Sequence, residues 1–361
     1  MNANPSRQSP AEWEESAQLL PPTTRELPSG RHQFHKERLM ARIQLDERTA
    51  TTTATGQQAR RFTMPRRAFA APAMACALAG AVVVGASMFT SGGEGTGVAG
   101  GPVLTTSVGT ATTEGVPQLL DQISLAAAEV PDPKAGQYVY IESKAANSYE
   151  KVVDGKSSLA SDKLHLRQIW KSLDGTKGWL IDPAVNDSAE GETLSLPDEQ
   201  GNVPVATLNG PSYNYLAELT TDPDRLLQKI YKETEGQGNS PDQEAFATIG
   251  DLLGESYPPA RLYSALFKTA AKIPGVVMVE DAVDAAGRHG VAVARLDETS
   301  GERMEWIFDK KTHVFLGERS VQVRGDGGDS GVIKRGTVTY TSAIMERAIV
   351  DDIKQTPTEA G

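Results

Sequence analysis

The chain has 361 residues, with 36 Lys and Arg against 47 Asp and Glu, a net charge of −11 and one cysteine. That balance excludes a broadly basic nucleic-acid binder, so no nucleic-acid partner is expected. One cysteine closes no intrachain disulfide and supplies no cysteine-rich zinc site, which leaves core packing to hold the fold.

Residues 1–65 read as an inner, cytoplasmic segment with short helices. Trp13, Leu19 and Leu20 mark one, and a second over Arg31–Leu45 presents Phe34, Leu39 and Ile43 for a helix-in-groove contact with a cytoplasmic regulator. Basic padding beside lipid head groups explains the same stretch. His32 and His35 share a helix face, but without cysteines they form no zinc-dependent anti-sigma motif.

Residues 66–90 read as a transmembrane helix. The uncharged 23 residues Ala68–Thr90 reach about 35 Å, enough for a hydrocarbon core of roughly 30 Å. Arg60, Arg61, Arg66 and Arg67 precede it and Glu94 is the first charge beyond, which keeps the amino terminus inside. Residues 1–67 carry 11 Lys and Arg against 7 Asp and Glu, while the rest carries 25 against 40, so the outer part is acidic. Two processing readings compete with a retained anchor: a twin-arginine signal if translation starts at Met64, and a lipoprotein site at Ala75-Cys76. Residues 91–116, rich in Gly and Thr without an apolar period, are expected to be a flexible tether.

Residues 117–348 form the expected extracytoplasmic domain. Leu119, Leu120, Ile123, Ala127 and Val130 recur at helical spacing until Pro131. Tyr138-Val139-Tyr140-Ile141 is a strand, and Leu164, Leu166 and Trp170 line another that turns at Asp174-Gly175 into Trp179-Leu180-Ile181. Three helices follow. Asp222-Pro223 and Ser240-Pro241 each place a capping residue before a proline, Gln243 completes a capping box, and the third helix carries Leu262, Leu266 and Ile273. Strands then return over Val276–Val279, Gly290–Leu296, Arg303–Asp309, His313–Val323 and Val332–Ala343. Met304, Trp306 and Phe308 alternate with Arg303 and Glu305, as in strands buried on one face. The expected fold is α+β: a curved antiparallel sheet, a half-barrel-like meander, with an N-terminal helix and a three-helix insert. Residues 349–361 are expected to be a disordered tail.

The opening helix Leu119–Val130, the hairpin Trp170-Lys171-Ser172-Leu173-Asp174-Gly175, the run Glu305-Trp306-Ile307-Phe308-Asp309-Lys310-Lys311-Thr312 and the anchor resemble an uncharacterised family of single-pass membrane proteins from high-GC Gram-positive bacteria. Members are often encoded beside extracytoplasmic-function sigma factors, so the resemblance implies a regulatory or sensing role. More distantly, residues 117–348 are similar to the half-barrels of periplasmic lipoprotein carriers and of a related envelope-stress regulator. Neither resemblance supplies catalytic residues.

Tyr138, Tyr140, Trp170, Trp306, Phe308 and Tyr340, with Trp179 and Phe315 beside them, give the domain its aromatic content. An aromatic-lined half-barrel holds an apolar ligand, a lipid chain or an apolar peptide; ordinary core packing explains the same residues. Gly328-Asp329-Ser330-Gly331 reproduces the surroundings of a serine-protease nucleophile, with His165, His289 and His313 available, but a polar hairpin turn is the simpler reading. Glu280, Asp281 and Asp284 offer oxygen ligands for a hard cation, though no spaced calcium loop contains them, and an acidic solvated turn is simpler. Walker, zinc-protease and phosphate-loop patterns are missing, so no metal and no cofactor are expected. The composite expectation is a non-enzymatic, membrane-anchored extracytoplasmic sensor or ligand-binding protein. A structural or interaction protein on a membrane partner, and an envelope serine hydrolase, are the alternatives.

Overall fold

A computed structural model of the chain describes residues 103–126, 131–153, 156–184, 189–194, 205–325 and 331–357. The elements, in chain order, are β1 (Ala111–Thr112), α1 (Val116–Ala126), β2 (Tyr138–Val153), β3 (Lys156–Ser161), β4 (His165–Ser172), β5 (Gly178–Ile181) and β6 (Glu192–Thr193). Then come the helices α2 (Tyr213–Glu218), α3 (Pro223–Glu233), α4 (Pro241–Glu255) and α5 (Ala260–Ala270). The strands β7 (Val276–Val283), β8 (His289–Leu296), β9 (Glu302–Phe308), β10 (Phe315–Gln322) and β11 (Val338–Val350) complete the order.

All strands join one open antiparallel sheet in the order β1-β7-β8-β9-β10-β11-β2-β4-β5-β6, with β3 paired to β2. Two meanders meet where β11 pairs with β2, from Tyr340 opposite Asn147 to Val350 opposite Tyr138. The helices are inserted between the meanders, and the chain is α+β.

The helix starts follow from capping. Ser240 accepts a hydrogen bond from the N–H of Gln243, Asp222 accepts one from Arg225, and each is followed by proline at the first helical position. Gly175, with φ +76°, closes the β4–β5 hairpin as the Asp-Gly pair requires. The helices cover one face of the sheet: Phe246, Leu253, Leu266 and Phe267 pack with α1 against Val293, Met304, Trp306 and Phe308. The period of two sends Ala292, Ala294 and Ile307 to the far face.

Two expected boundaries move. Residues 103–116, assigned above to the tether, belong to the domain. Thr105 bridges to Thr337, the N–H of Thr106 donates to Gly336 O, and β1 pairs with β7 before Gly115 turns the chain into α1. Residues 349–357, assigned to a disordered tail, continue β11 and fold under the sheet, where Gln355 O accepts a hydrogen bond from Trp170 Nε1 at 2.7 Å. The last strand lies at Val338–Val350 instead of Val332–Ala343, and β3 and α2 are additional elements.

Among the described residues no helix is long and apolar enough to cross a membrane. The stretch Ala68–Thr90 and the inner segment with Phe34, Leu39 and Ile43 lie outside the described residues, as does Ser330.

Candidate functional site

The six aromatic residues singled out from the sequence divide between the two faces. On the far face, Tyr138, Tyr140 and Trp170 cluster with Trp179, Val350 and Ile353. The rings of Tyr140 and Trp170 lie 4.9 Å apart, and the Lys354 ammonium stands 3.6 Å over Trp179. Tyr140 Oη donates to Glu142 Oε2 at 2.7 Å, and Gln168 Nε2 donates to both, so burial and this carboxylate push the phenol up. On the helix-covered face, Trp306 stacks on Phe246 at 3.8 Å, and Phe308 meets Phe267 and Phe315 edge-on. Tyr340 shares that face; burial, then Glu318 and Glu255, raise its phenol. Tyr140, Trp170, Trp306 and Phe308 are each at most 1% exposed. They fill cores, and they do not line one common cavity.

A small cleft opens between β2, β4, the start of α2 and the end of α4. Ile141, Ile169, Lys171, Ser212, Glu255 and Tyr257 line it. Ser212 is held there as the α2 cap, and Tyr257 Oη donates to Pro131 O at 3.1 Å. Burial pulls the Lys171 amine below its ordinary value, Glu255 opposes that, and Arg167 adds to it. The cavity measures about 20 Å³, about the size of one water.

The far face holds a second polar cluster. Glu305 on β9 stands opposite Arg319 on β10 and is fully buried. Its Oε1 accepts from Arg303 Nε and its Oε2 from Arg319 Nε, each at 2.7 Å. Residues 103–112 cover this triad as a strap: Arg303 Nη1 donates to Gly109 O at 3.1 Å, and Arg319 Nη1 to Thr106 Oγ1 at 3.2 Å. Leu104 and Val108 pack on Val321, Val323 and Val338. At Gly109 an added Cβ would stand 2.9 Å from Val279 Cγ1, so the strap lies close on the sheet. Sequence reading gave Arg303 and Glu305 to a solvated face; their alternation with Trp306 was the available signal, but it does not show what covers them.

Several of the remaining candidates are engaged structurally. Asp284, expected in a solvated turn, is fully buried, accepting from Arg288 Nε at 2.7 Å and from the N–H groups of Ala286 and Arg288. Asp281 contacts His289 and Lys310. His165 Nε2 lies 3.2 Å from Asp182, whose other oxygen faces Arg167. The bond to Asp182 raises the His165 imidazole against the effect of burial. Burial opposes ionisation of Asp182, yet the bonds from His165 and the Ala184 N–H, with Arg167 nearby, hold its carboxyl low. His313 adopts φ +56° in the β9–β10 turn. Among the described residues no group of three or more His, Cys, Asp or Glu is placed to hold a metal ion.

No family model matches the chain, and none of the curated proteins matches it.

Proposed function

We propose that this protein is a non-enzymatic sensor held by a single membrane span over residues 66–90. The described domain lies outside the membrane and residues 1–65 lie inside, where Phe34, Leu39 and Ile43 meet a regulator of sigma-factor or envelope signalling. The family resemblance carried by the anchor, the Asp174-Gly175 hairpin and the Glu305–Thr312 run supports the same role.

The observation that carries this reading is the docking of residues 103–112 on the sheet. It leaves the 12 residues 91–102 between the docked segment and the proposed span. The domain is thereby held close to the membrane, and release of residues 103–112 would lengthen the connection from 12 residues to 22.

A half-barrel carrier of apolar ligands would use the aromatic residues as a lining. Their burial in two separate cores supports recognition of a protein segment over an acyl chain. Native mass spectrometry of the full chain, extracted gently from its own membrane, tests the reading. The expected result is a protein adduct that disappears when residues 1–60 are deleted. A lipid-sized adduct that stays with the outer domain, with no protein adduct, would overturn it in favour of a carrier.

A further inference from the structure

The strap has three properties of a bound peptide. Its residues alternate, with Leu104, Thr106 and Val108 half-buried against the sheet and Val103, Thr105 and Ser107 exposed. Its main chain pairs with strands at both ends, at Gly336–Val338 and at β7, in the manner of strand addition. It also carries no charge between Val103 and Thr112, although it covers two guanidinium groups that share one carboxylate. A net positive charge therefore lies under a segment that offers it one hydroxyl and one carbonyl.

We infer that the sheet face beneath residues 103–112 is a peptide groove filled by the chain's own strap, and that it takes in exchange an extended partner segment of pattern apolar–x–acid–x–apolar. The acid replaces Thr106 opposite Arg319, and the flanking apolar residues take the places of Leu104 and Val108. A carboxylate at this position supplies the charge that the strap lacks, and a charge-assisted hydrogen bond is stronger than the neutral one it replaces. Exchange frees the strap and lengthens the connection to the span. The inference rests on the sensor reading for its meaning in the cell, but not for its chemistry.

The test uses the full-length protein in detergent micelles and two fluorescent ten-residue peptides. One has the sequence of residues 103–112; the other is identical except for aspartate in place of Thr106. Fluorescence anisotropy is expected to show the aspartate peptide binding at least about tenfold more tightly, with affinity falling as salt rises. Hydrogen exchange at the Thr106 amide should accelerate when it binds, while the Val338 amide stays protected because the peptide's carbonyl takes the place of Leu104 O. In the protein variant Thr106→Asp the strap should be locked, with slower exchange at those amides and weakened peptide binding. Equal binding of the two peptides, binding of neither, or unchanged exchange in Thr106→Asp would overturn the groove. Those outcomes leave the membrane anchoring and the inner contact standing, because neither peptide touches residues 1–65.

Discussion

Replacement of Glu305 by alanine should be among the most damaging single changes in the domain. The carboxylate accepts from Arg303 and Arg319 at 2.7 Å on each oxygen and is fully buried. Without it, two nearly buried guanidinium groups repel each other, with Thr106 Oγ1 and Gly109 O left among their acceptors. Removing one member of a buried charge cluster costs about 3–5 kcal/mol. In a domain of this size each kcal/mol moves Tm by roughly 2–4 °C, so Glu305→Ala should lower Tm by about 6–20 °C. Thermal unfolding of the full chain followed by circular dichroism measures this. The apolar replacement Arg303→Met with Glu305→Leu and Arg319→Met should recover much of the loss, because it removes the charges together instead of orphaning two. A Glu305→Ala variant melting within about 2 °C of the parent, or a triple variant no more stable than the single one, would refute the reasoning.

Gly250→Ala lies in the interior of α4, where alanine normally gains about 1 kcal/mol over glycine. Here its Cβ would stand 2.5 Å from Trp306 Nε1 and push the indole off its stack with Phe246. A net loss of about 1–3 kcal/mol in urea unfolding is expected; a gain would contradict the packing described. The His165–Asp182 pair sets a pH dependence. His165 is raised in the folded state, so its stabilisation is complete below about pH 6.5 and fades as pH rises through the raised value. Asp182 is lowered, so its share is present above about pH 4 and fades as pH falls through the lowered value. Asp182→Asn should flatten both limbs of a stability–pH curve, and an unchanged curve would exclude the pair as their source. Trp170→Phe keeps most of the ring but removes the bond to Gln355 O. Residues 351–357 should then become sensitive to limited proteolysis, and continued resistance would show that Ile353 and Lys354 hold the tail unaided.

The helices were legible because their signals are local: Ser240 and Asp222 cap, proline follows, and Leu226, Ile230, Phe246 and Ile249 repeat on one side. The β4–β5 hairpin was legible through Asp174-Gly175. The full length of β2 was not, since Glu142, Lys144, Asn147, Glu150 and Lys151 interrupt its apolar pattern, and its partner β11 lies about 200 residues away in the chain. The same limit hid the candidate site. Gly109 and Arg303 are 194 positions apart, and the uncharged Gly/Thr-rich composition that suggested a tether also suits a strap whose backbone does the pairing. Alternation placed Tyr138 with Tyr140 and Trp306 with Phe308, but not the face each pair takes relative to the helices, which depends on the pairing of the two meanders.

The anchored arrangement is tested most directly by labelling intact cells with a membrane-impermeant maleimide. In a Cys76→Ala background, single cysteines are introduced by Gln57→Cys, on the inner side of the proposed span, and by Glu280→Cys, at an exposed position of β7. The account predicts that the cysteine at 280 is labelled in intact cells and that the one at 57 reacts only after lysis. Labelling at 57 in intact cells, or protection at 280 until lysis, would contradict a sensor domain held outside the membrane.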